Sequence, residues 1–76
     1  MNNLRRKALC EIKEKIEAIK TDIEDLLDEE QEALESIPEN MQGGDRYEKA
    51  EEATSALEDA VNSLEDAVDS IDSVIE

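Results

Sequence analysis

The chain has 76 residues, 23 acids against 8 bases, and a formal net charge of −15. That length allows one domain with a thin core. That charge argues against binding nucleic acid directly, since bound phosphates call for Lys and Arg, and against an anionic membrane surface. It is compatible with a basic protein partner, with blocking a nucleic-acid-binding site, or with plain solubility.

The core must be aliphatic, because Tyr47 is the only aromatic residue. Charged residues make up 41% of the chain, a composition that also suits disorder. Strict apolar periodicity argues against disorder. In the first segment, about 3–36, Leu9, Ile12, Ile16, Ile19, Ile23 and Leu26 alternate spacings of three and four. They read as the a and d positions of a heptad seam. Glu30 interrupts the seam before Ala33 and Ile37, and Leu27 and Leu34 widen it by one position.

A connection over 37–45 follows. Pro38 disfavours helix at Ile37, and Gly43 and Gly44 permit positive φ. Asp45-Arg-Tyr-Glu48 has the form of a capping box.

The second segment, about 46–75, repeats itself every seven residues. Leu57-Glu-Asp-Ala-Val-Asn-Ser leads into Leu64-Glu-Asp-Ala-Val-Asp-Ser and then the degenerate Ile71-Asp-Ser-Val-Ile-Glu. Ala50, Leu57, Leu64 and Ile71 take position a; Ala53, Ala60, Ala67 and Val74 take d; Val61, Val68 and Ile75 take e. The expected fold is all-α, an antiparallel two-helix hairpin resembling a coiled coil. Stripes using a, d and e exceed what one hairpin covers. They predict a homodimer in the form of a four-helix bundle, with Leu9, Ile12, Ile16, Ile19, Ile23, Leu26, Leu27, Leu57, Val61, Leu64, Val68 and Ile71 as its core.

Charge placement favours the antiparallel arrangement. Residues 1–20 hold six bases against three acids, and residues 50–76 hold nine acids and no base. Residues 21–45 hold ten acids and no base, so the turn end of the rod is uniformly negative.

The stretch Glu29-Glu-Gln-Glu-Ala-Leu-Glu-Ser-Ile-Pro-Glu-Asn-Met-Gln-Gly-Gly-Asp-Arg-Tyr-Glu-Lys-Ala-Glu-Glu51 resembles a family of short acidic proteins of Gram-positive bacteria and their phages. Their turn motif has the form P-E-N-x-Q-G-x-x-R-Y-E, between a basic N-terminus and an acidic heptad helix. Gly44 and Asp45 stand where that family often carries Ser and Glu. The resemblance spans the whole chain. It implies a phage or prophage setting and a location in the host cytosol, and it implies no activity, cofactor or partner.

Few residues invite chemistry. A di-iron bundle needs Glu-x-x-His pairs, and His is absent. No stretch has the ligand spacing and sixth-position Gly of an EF-hand. Cys10, the single thiol, has no His to activate it. A lone Cys excludes an internal disulfide and fits a reducing, cytoplasmic setting. No segment reads as a signal peptide or membrane span. The expectation is a protein with no enzymatic activity, cofactor or metal.

The acid rows are the most suggestive feature. Glu51/Glu52, Glu58/Asp59 and Glu65/Asp66 recur each heptad, and Asp69 and Asp72 extend them. As a solvated face they keep a small helical protein soluble. As a binding face they would meet a protein partner, or imitate a nucleic-acid backbone in the basic groove of an enzyme. The turn also has two readings. Ile37, Pro38, Met41 and Tyr47 can cap the hairpin end, or Met41, Gln42, Arg46 and Tyr47 can form a contact site. The leading expectation is an accessory protein that binds and modulates a host or phage protein. The alternatives are a nucleic-acid mimic and a purely structural bundle.

Overall fold

A computed structural model describes residues 1–76. It contains two α-helices, α1 (Asn3–Glu35) and α2 (Asp45–Ile75), joined through one 3-10 turn at Glu39–Met41. The helices pack side by side as an antiparallel hairpin. The rod measures 59 × 15 × 14 Å. Neither helix is long and apolar enough to cross a membrane.

Local chemistry sets the helix ends. The Asn2 side-chain oxygen accepts from the Arg5 N–H at 2.8 Å, which satisfies one of the free donors of the first turn. At the other end of α1, the Ser36 N–H donates to the Glu32 carbonyl at 3.1 Å. The Ser36 hydroxyl donates to the Glu32 and Ala33 carbonyls at 2.8 and 3.1 Å. Pro38 then turns the chain into extended backbone at φ −59°, ψ 145°.

The start of α2 departs from the sequence expectation. The capping box is not formed. Gly44 occupies the cap position at φ −87°, ψ 164°, and no side chain accepts a hydrogen bond there. Its carbonyl already takes the Glu48 N–H at 3.2 Å, so the helix begins one residue before the expected boundary. Asp45 thus becomes the first helical residue, where its charge still meets the positive end of the helix dipole. Neither glycine uses positive φ.

The seam also differs in register. On α1 the half-buried residues facing α2 include Leu9, Lys13, Ile16, Lys20, Ile23, Leu27, Glu30 and Leu34, and Ile37 follows in the turn. On α2 they are Tyr47, Ala50, Leu57, Leu64, Val68, Ile71 and Ile75, with Thr54 and Val61 buried and Ala60, Ala67 and Asp72 half-buried at the seam's edges. Ile12, Ile19 and Leu26 are not in this seam; they are 45, 52 and 57% exposed. Lys13 and Lys20 take the places expected of isoleucines. Their aliphatic stems lie along the seam while their amines reach carboxylates at its edge.

Candidate functional site

Three contacts fix the register and mark one side of the rod. Lys13 Nζ lies 2.6 Å from Asp72 Oδ1, and Lys20 Nζ lies 3.1 Å from Glu65 Oε1. Gln31 donates to Glu58 Oε1 at 3.2 Å. Glu58, Glu65 and Asp72 each follow an a residue of α2, so they occupy one flank of that column. Both lysine pKa values are raised, first by the side-chain hydrogen bond to Asp72 or Glu65 and then by the surrounding carboxylate charge; partial desolvation opposes this.

The marked side is acidic on both helices. Glu17, Glu24, Glu65 and Asp69 line a shallow groove around Lys20 and Thr21. Farther toward the turn, Glu48, Glu51, Glu52 and Asp59 cluster around Ser55 and Ala56. Of the acid row proposed for α2, Glu58, Glu65 and Asp72 are engaged with α1, while Glu51, Glu52, Asp59, Asp66 and Asp69 make no ion pair. Glu17 and Glu24 join the acidic surface from α1. Their signal in the sequence is a column of acids one position after Ile16 and Ile23, visible only once the side of the rod carrying α2's acids is known.

The opposite side is apolar. On α2 the position before each ion-pair flank is the seam, and beyond the seam lies the d column of Ala53, Ala60, Ala67 and Val74. On α1 the equivalent outer column is Ile12, Ile19, Leu26 and Ala33. Val74 is 47% exposed, Ala33 and Ala53 are exposed, and Ala60 and Ala67 are half-buried. The register set by the ion pairs places Ile12 near Val74, Ile19 near Ala67, Leu26 near Ala60 and Ala33 near Ala53. A ridge of large side chains on α1 therefore runs beside a shelf of small ones on α2.

At the turn, a cleft of about 600 Å³ is lined by Leu34, Ile37, Pro38, Met41, Tyr47 and Ala50, with Glu30, Arg46 and Lys49 among its polar residues. Tyr47 is half-buried and Met41 is 56% exposed. Gln42 Nε2 donates to the Ile37 carbonyl at 3.4 Å, tying the turn to itself. Of the four turn residues proposed for contact, Met41, Arg46 and Tyr47 thus share the cleft, and Gln42 braces the loop.

Cys10 is exposed. No three His, Cys, Asp or Glu side chains converge into a metal-binding group. No family model, curated protein or solved structure matches the chain.

Proposed function

We propose that this chain is a non-enzymatic accessory protein of phage type, which binds a basic surface of a host or phage protein and modulates it. The observation that carries this reading is the segregation of the two faces. Carboxylates from both helices gather on one side of a 59 Å rod, and only Lys13 and Lys20 neutralise them there. Charges needed for solubility alone have no reason to be segregated in this way. A preassembled row of like charge steers a partner of opposite charge and fixes its orientation. The work takes place in the cytosol of the host cell.

A second reading rests on the heptad spacing. Glu52, Asp59 and Asp66 recur about every 10.5 Å along α2, the rise of seven helical residues, and Glu17 and Glu24 of α1 repeat at the same spacing. Two rows of evenly spaced charge on a straight rod can occupy a groove built for a nucleic-acid backbone.

The test is capture from a Gram-positive host lysate with the wild-type chain and with a variant carrying Glu51→Lys, Glu52→Lys, Asp59→Lys and Asp66→Lys. These four residues make no ion pair with α1, so the hairpin should remain helical. Loss of specific captured proteins in the variant supports the acidic-face reading; identical capture overturns it. Among captured proteins, a steep loss of affinity with salt and competition by duplex DNA or RNA select the mimic.

A further inference from the structure

We infer that the apolar face is the seat of a second copy of this chain, laid across the first with its turn at the opposite end. The proposal is independent of any partner of the acidic face.

The hairpin alone is poorly buried. Only Val61 and Thr54 are buried, and no side chain is fully enclosed. One long side of the rod, 59 by 15 Å, projects about 900 Å², and Ile12, Ile19, Leu26 and Val74 are exposed along part of it. A standard interface takes about 800 Å² from each partner. One more hairpin of the same size covers this face from end to end.

Charge decides the direction. Residues 21–45 carry ten acids and no base, whereas residues 1–20 carry a net +3. Two rods stacked with both turns at one end would set those ten-acid segments against each other. The opposite orientation sets each acidic turn segment over the partner's basic N-terminal segment. This two-fold brings α1 over the partner's α1, centred near Ile19, with Ile12 over Leu26.

The residues edging the ridge fit the same axis. Lys15 and Asp22 lie on its outer border, one turn before and one turn after Ile19. About that axis, Lys15 of each copy meets Asp22 of the other, giving two equivalent ion pairs. Met1, 55% exposed, then reaches the partner's turn cleft near Ile37. On α2 the shelf of Ala60, Ala67 and Val74 lets the two second helices approach closely.

Sedimentation equilibrium of the full chain tests the state, and engineered thiols test the geometry. Wild type is expected at twice its 8.5 kDa mass, and Ile19→Glu at 8.5 kDa with its helix content retained. Lys15→Asp and Asp22→Lys should each weaken the dimer at least tenfold, and the double exchange should restore it. With Cys10→Ser in place, Ile19→Cys should oxidise to a covalent dimer, because residue 19 faces its own copy, whereas Leu26→Cys should not. A wild-type monomer at both low and high salt overturns the proposal. So does a dimer in which Ile19→Cys fails to cross-link, or in which the double exchange is no tighter than either single change.

Discussion

Lys13 Nζ and Asp72 Oδ1 lie 2.6 Å apart, joining the early part of α1 to the last turn of α2. With the Lys20–Glu65 pair seven residues farther along α1 and seven residues back along α2, this contact holds the helices in one antiparallel register. Replacing Lys13 and Lys20 together by Met should keep the stems packed and the hairpin helical. The change is expected to lower Tm less than Val61→Ala does, because ion pairs at a solvent-accessible edge contribute little. Differential scanning calorimetry of both variants at two salt concentrations provides the comparison.

Those pairs also give a sign to the high-pH behaviour. Both lysines have pKa values raised above 10.5 by hydrogen bonds to Asp72 and Glu65. A raised lysine pKa contributes stability that is fully present below the unfolded value and lost as pH rises through the folded one. Thermal stability should therefore show no lysine-dependent change between pH 7 and 9 and should fall above about 10.5. In the Lys13→Met, Lys20→Met double variant that alkaline fall should shrink. An equal fall in both proteins would place its origin elsewhere.

Val61 is 8% exposed and is the one buried apolar residue of the rod. Val61→Ala should cost about 1–2 kcal/mol, since it removes two buried methyl groups and leaves a gap between helices. In a domain this small, that corresponds to a drop of roughly 5–15 °C in Tm. Thr54 is equally buried, and its hydroxyl donates to the Ala50 carbonyl at 2.9 Å. This bond to a carbonyl already used by the helix slightly disfavours it. Thr54→Val should thus raise Tm, and the contrast between two neighbouring β-branched positions can be read by thermal circular dichroism.

Gly44 caps α2 in extended backbone, with nothing closer than the Met41 carbonyl at 3.5 Å from an added Cβ. Gly44→Ser should stabilise the chain by about 0.5–1 kcal/mol, by supplying a cap acceptor and by restricting the unfolded chain. Asp45→Ala should cost less than about 1 kcal/mol, the contribution of a first-turn charge to the helix dipole and not of a cap. If urea denaturation finds Asp45→Ala the larger effect and Gly44→Ser neutral, the assignment of the cap to Gly44 is wrong.

The hairpin was legible in the sequence because Pro38 and the glycines interrupt two unbroken heptad patterns. The seam register was not. Ile12 and Ile19 are more apolar than Lys13 and Lys20, so hydrophobicity alone assigns the isoleucines to the contact with α2. The apolar stripe of α1 is wider than one partner helix covers: Leu9, Ile16, Ile23, Leu27 and Leu34 fill the seam, Ile12, Ile19 and Leu26 are left on one flank, and Lys13 and Lys20 reach carboxylates at the other edge. Which acids share a face was hidden for a related reason. Glu17 and Glu65 are far apart in the chain, and only the antiparallel pairing brings them to one groove. The cap was misplaced by a single residue, because Asp45 has the better cap chemistry while the Gly44 carbonyl receives the first helical hydrogen bond.

The seven-residue unit of α2 assigns one duty to each place in it. In Leu64-Glu-Asp-Ala-Val, the Leu and Val fill the seam, the Glu meets Lys20, the Asp faces outward and the Ala lies on the apolar shelf. Copying the unit copies all of these surfaces at once, in phase. Such a rod can be lengthened in steps of about 10.5 Å by a matched heptad insertion in each helix, without redesigning either face. Its length can therefore change while the chemistry of its faces stays constant.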